Sequence, residues 1–110
     1  MAIQVIIQQK GPLPITVNFN AIGDGPMYLE VNGSVWSQGT QSMIGIGITL
    51  DTQNVGKAQL FNNASTTHRT VVPAYIPIQL GAGQHTLTLS GSSSTTVSDI
   101  NDFYTAVIHY

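Results

Sequence analysis

Apolar residues recur at every second position over most of the chain, the period of a strand that buries one face. In 15–20, Ile15, Val17 and Phe19 fall on one side of Thr16, Asn18 and Asn20. From Met27 the alternation sets Met27, Leu29, Val31 and Val35 inward and Tyr28, Glu30, Asn32, Ser34 and Trp36 outward. In 43–50, Ile44, Ile46, Ile48 and Leu50 share one face, opposite Gly45, Gly47 and Thr49. Further strands are expected at 2–9, 55–61 and 84–90, and over 67–72 and 75–80 on either side of Pro73, which lacks a ladder donor. Gly, Pro, Asn and Asp cluster at 11–14, 23–26, 51–54, 62–65 and 81–83, where turns are expected, and 37–42 and 90–98 read as polar loops. No segment carries a helical period. The pattern predicts an all-β, single-domain jelly-roll β-sandwich of eight to ten antiparallel strands.

The last stretch, 100–110, departs from simple alternation. One face holds Phe103, Thr105, Val107 and His109, the other Tyr104, Ala106, Ile108 and Tyr110. A strand apolar on both faces is expected to be central and covered twice. With no helix to cover the second face, another copy of the chain becomes the expected cover. Phe103, Tyr104, Ala106, Ile108, His109 and Tyr110 are therefore the expected interface. The bare glycine face of 43–50 is expected to receive Tyr104 or Tyr110.

Composition sharpens this picture. Of 110 residues, 42% are hydrophobic, enough for one core, but only 7% are charged, against roughly 25% in an average soluble protein. Three Lys/Arg neutralise too few phosphates for a nucleic-acid partner. With no cysteine, disulfides, thiolate catalysis and cysteine-ligated metals are excluded. The N-terminus has no basic region followed by a long apolar run, so neither a signal peptide nor membrane insertion is expected. A low-charge surface fits self-association or neutral ligands, in an extracellular or particle-associated setting.

The segment Leu80-Gly81-Ala82-Gly83-Gln84-His85-Thr86-Leu87-Thr88-Leu89 resembles a hairpin of the tumour necrosis factor and complement globular-head superfamily. The closing strand around Phe103-Tyr104-Thr105-Ala106-Val107-Ile108 is similar to theirs as well. The resemblance implies a jelly roll assembled as a homotrimer, with the terminal strands near the threefold axis.

Three groups of residues could carry chemistry. Asp99, Asn101 and Asp102 place three oxygen-bearing side chains at the mouth of the last strand, either as calcium ligands or as a turn that caps its own amides. His68, His85 and His109 lie on separate strands; His109 could meet its copies on a threefold axis, whereas His85 reads as a partly buried, hydrogen-bonded ring. Trp36 and Tyr28, with Glu30 and Asn32 beside them and Arg69 and Tyr75 on a later strand, form either a sugar-binding face or a subunit interface. No Gly-x-Ser-x-Gly elbow, paired-carboxylate spacing or phosphate-cradling loop is present, so no catalytic residue is assigned. The expected role is a non-enzymatic, multivalent, lectin-like module for neutral glycans. A purely structural trimerising head and, third, a hydrolase are the alternatives.

Overall fold

The computed structural model describes residues 2–39 and 41–110; Thr40, inside the expected 37–42 loop, lies outside them. Nine strands form: β1 (Ile3–Lys10), β2 (Ile15–Ala21), β3 (Gly25–Val35), β4 (Ser42–Leu50), β5 (Gln53–Asn62), β6 (Arg69–Thr70), β7 (Ala74–Leu80), β8 (Gly83–Gly91) and β9 (Phe103–His109). They build two antiparallel sheets. The first runs β1-β9-β3, with β7 and the short β6 both pairing with β3, and the second runs β2-β8-β4-β5. Strands therefore cross from sheet to sheet rather than to their neighbour, in the order of a jelly roll.

Only β4 and β5 form a hairpin. Asp51 and Thr52, both at positive φ, link the paired Leu50 and Gln53, the left-handed geometry that suits a two-residue turn between twisted strands. The connection through Gly81-Ala82-Gly83 is different. It carries the chain from β7 in one sheet to β8 in the other, so the expected hairpin at 80–89 is an inter-sheet turn.

The core sits between the sheets. Met27, Leu29, Val31 and Val35 of β3 face Ile44, Ile46, Ile48 and Leu50 of β4, Leu87 and Leu89 of β8, and Ile15 and Phe19 of β2, all buried. This is the alternation of the sequence made physical. A wholly buried side chain of this size stabilises by roughly 1.5–3 kcal/mol through removal from water.

Strand β9 is central, between β1 and β3. Its Tyr104, Ala106 and Ile108 point between the sheets and are fully buried. They belong to the core of this chain, and a partner could reach them only by opening the sandwich. The second sheet covers this face, and the face of Phe103, Thr105, Val107 and His109 points away from the core. Nor does Tyr104 pack on Gly45 or Gly47. Its ring lies against Gly33 and Gly11, where a Cβ at Gly11 would come within 3.1 Å of Tyr104. Gly45 lies against β5 at Ala58 and Gln59, and Gly47 against Ser90. Tyr110 packs over Gly23 instead and ties two connections together, donating from its hydroxyl to Gln4 (2.7 Å) and accepting from the Ile22 amide (3.1 Å).

Candidate functional site

Register decides which outward side chains meet. Across the first sheet Tyr28 lies opposite His109 on one side and Pro77 on the other, and Glu30 lies between Val107 and Tyr75. Two residues along, Asn32 is opposite Thr105, and Ser34 is opposite Thr70. On the edge strand, Ile3 and Val5 extend the rows of His109 and Val107. All of these side chains therefore share the face turned away from the core.

This face is mixed in chemistry. Tyr28 and Tyr75 are 56% and 63% exposed and stand diagonally on neighbouring strands, an offset of about 7–8 Å. Beside them the Glu30 carboxylate is bonded to His109 Nε2 at 2.8 Å, with both side chains about a third exposed. Farther along β3, a shallow recess of Asn32, Ser34, Thr70, Phe103 and Thr105 continues the same surface. Apolar ring faces and fixed hydrogen-bonding groups thus alternate over a flat surface.

The structure joins Tyr28, Glu30, Asn32 and Tyr75 as the sequence grouped them. It separates two others. Trp36 ends β3's run by bridging to Val97, its ring lies 5.6 Å from that of His68, and its Nε1 is buried. The indole is therefore a packing group at the end of the sandwich. Arg69 pairs in register with Val35, not with the outward Ser34, and its guanidinium donates to Asn63 Oδ1 at 3.2 Å. In their place the face recruits Thr105, Phe103 and His109 from β9. That strand reached the face because β9 inserts between β1 and β3, and a one-dimensional pattern does not state which strands are neighbours.

A second cluster forms at the far end of β3. Asp102 is wholly buried and accepts from Ser34 Oγ (2.7 Å), from the Asp99 amide (2.9 Å) and from His68 (2.7 Å at Nδ1). The Asp102 bond holds the His68 imidazole above its ordinary pKa, outweighing burial, which acts the other way; the charges of Asp102 and Asp99 add to the rise. Near this cluster the Tyr104 hydroxyl is buried beside Ser98, and burial pushes its pKa upward against the opposing effect of Ser98.

His68, Asp99 and Asp102 are the one group of metal-ligating side chains among the described residues, with donor atoms within 4.8 Å of one another. Asn101 is outside it. Its amide is capped by Asp99 Oδ1 at 2.8 Å, as in a turn that bonds its own backbone. Calcium takes six to eight oxygens. Here two carboxylates, one of them with both oxygens already bonded, and an imidazole come together, while Asn101 takes the turn alternative. Such a nitrogen-containing set would suit zinc better. Ser34 donates to Asp102 rather than to His68, so these three side chains do not form a serine–histidine–aspartate relay.

His85 lies on the other sheet, tilted against Phe19 at 5.8 Å. Its Nδ1 meets Asp51 at 2.5 Å and its Nε2 meets the Gly81 carbonyl at 2.6 Å. Two acceptors on one ring require both nitrogens to donate, and these bonds raise its pKa. For Asp51, burial works upward, yet the His85 and Thr86 bonds bring the net pKa below the usual value.

No family model and no curated protein matches the chain. The fold is similar to a family 35 carbohydrate binding module from Clostridium thermocellum, at 20% identity and a TM-score of 0.55, over 86% of this chain and 68% of that one. It is similar to the CBM35 of Cellvibrio japonicus Abf62, at 17% identity and TM-score 0.51, over 88% and 66%. It also matches part of a β-glucosidase from Paenibacillus barengoltzii, at 12% identity and TM-score 0.57, over 90% of this chain but 10% of that one. At these identities the likeness is one of fold: a jelly-roll sandwich. Of the tumour necrosis factor resemblance, only the jelly-roll fold is supported.

Proposed function

We propose that the chain is a non-catalytic carbohydrate-binding module, acting as one domain, whose site is the outward face of the first sheet. One observation carries the reading. Tyr28 and Tyr75 are more than half exposed on adjacent strands and run alongside the Glu30–His109 pair, Tyr75 next to Glu30 and Tyr28 next to His109. Aromatic faces stack on the C–H faces of a sugar ring, and a fixed carboxylate and imidazole take its hydroxyls. The carbohydrate-binding modules among its fold neighbours support the reading, as does a surface with little charge to attract ions.

Titration calorimetry with neutral glycans tests it. Tyr75→Ala and Tyr28→Ala should each weaken binding about tenfold, equivalent to ~1.4 kcal/mol, without lowering the melting temperature. Trp36→Ala should leave affinity unchanged in protein that remains folded. Binding unaffected by either tyrosine removes the site.

Multivalent display is the second element of the proposal. Ile3 and Val5 are 58% and 53% exposed on edge strand β1, and Phe103 is 46% exposed on the same face. Ile3 and Val5 favour self-association of whole sandwiches through the β1 edge, as a trimer, which leaves Tyr28, Tyr75, Glu30, His109 and the recess at Phe103 open to ligand. The same side would serve a structural head with no small ligand, and an intact oligomer with no glycan affinity would select that alternative. Among the described residues no helix is long and apolar enough to cross a membrane; an extracellular setting is part of the proposal.

A further inference from the structure

We infer that the ligand is an interior stretch of an extended, uncharged glycan lying along β3 and β9, rather than a single terminal sugar. The inference rests on the carbohydrate-binding reading of this face and narrows its substrate class.

Length is the first ground. The aromatic end at Tyr28 and the polar recess at Ser34 lie on one strand, six residues apart. At about 3.3 Å per residue this is roughly 20 Å, far longer than one sugar ring. Both ends are equipped. Tyr28, Tyr75 and Pro77 offer apolar surface at one, while Asn32, Thr105 and Thr70 offer hydroxyl and amide groups at the other, beside the ring of Phe103.

Shape is the second. Beyond Tyr28 lies another recess at the end of the sheet, with Pro26, Tyr28, Pro77 and His109 on the outward face and Met27, Ile78 and Tyr110 beneath them. Both recesses are open depressions in line along the sheet, so a chain can enter at one end and leave at the other. A pocket built for a chain end would need a closing wall.

Charge is the third. Glu30 is the only carboxylate in these rows, and His109 already engages it. Arg69 is turned away to Asn63, leaving Lys10 on the edge strand as the one cation bordering the face. A polyanionic chain would lie over a carboxylate with no compensating cation at its centre. An uncharged one meets no such cost.

Calorimetry with unbranched neutral oligosaccharides of increasing length, drawn from glucan, xylan, mannan and galactan series, tests this. Carboxymethylated glucan serves as the acidic comparison. Affinity should rise at least tenfold from disaccharide to tetrasaccharide and then level off, and the acidic polymer should bind more weakly than its neutral parent. Phe103→Ala and Asn32→Ala should remove the gain from length while leaving disaccharide affinity within twofold. Affinity independent of length, yet still lost in Tyr75→Ala, overturns the inference and leaves glycan binding standing. Tighter binding of the acidic polymer also overturns it. No binding to any series defeats both.

Discussion

Gly33 shows how much one missing side chain can decide. It sits in β3 directly opposite Tyr104. A Cβ there would collide with the Tyr104 ring and approach the Phe103 carbonyl oxygen to 2.9 Å. The glycine thus lets a large ring fill the core under the sheet while Asn32 and Ser34, its neighbours, remain on the binding face. Gly33→Ala should destabilise by about 1–3 kcal/mol, as overpacking does, read from the urea midpoint. The same ring carries a buried hydroxyl with Ser98 beside it. Tyr104→Phe removes that hydroxyl, and its stability should stay within about 1 kcal/mol of the parent's. A loss above about 1 kcal/mol would mean that the hydroxyl is bonded in solution.

Among the elements, the histidine pairs tie strands and loops that sequence keeps far apart. His68–Asp102 fastens the segment before β6 to the entrance of β9, and His85–Asp51 fastens β8 to the β4–β5 turn. Both imidazoles have raised pKa values. Their contribution is complete below the unfolded value near 6.5 and is lost as pH rises through the folded values. Asp51, with its lowered pKa, belongs to the same pair as His85 and acts at the other limit, its share being lost as pH falls below the ordinary carboxylate range. The urea midpoint should therefore fall between about pH 6 and 8, and His68→Gln with His85→Gln should flatten that slope. Trp36 is the sole tryptophan and lies against His68. Its fluorescence should titrate with a midpoint above about 6.5, and the transition should vanish in His68→Gln.

At the scale of the whole molecule, assembly and folding are separable. Tyr104, Ala106 and Ile108 hold the two sheets together, so deleting residues 108–110 should unfold the chain whatever its oligomeric state. Val5→Lys, on the exposed edge, should instead leave the sandwich folded and shift the sedimentation mass toward the monomer. If the parent already sediments as a monomer at micromolar concentration, the multivalent part of the proposal falls and the binding face is unaffected.

Strand identity was legible from the chain alone, because period-two alternation is a local consequence of pleating: Ile44 to Leu50 and Met27 to Val35 face inward as their spacing requires. So was the outward set Tyr28, Glu30 and Asn32, which rides on one strand. Tyr75 joined them because β7 pairs with β3, but the same reasoning misplaced Arg69, which lies one residue out of phase with Thr70, the partner of Ser34, and the register alone shows this. Only the tertiary structure decided that β9 inserts between β1 and β3, that Tyr104 turns inward while His109 meets Glu30, and that His68 completes the buried shell of Asp102. Alternation states which residues share a side of their own strand. Which strands become neighbours, and which sheet covers an apolar face, depends on contacts between residues tens of positions apart, and those follow from the packing of the whole sandwich.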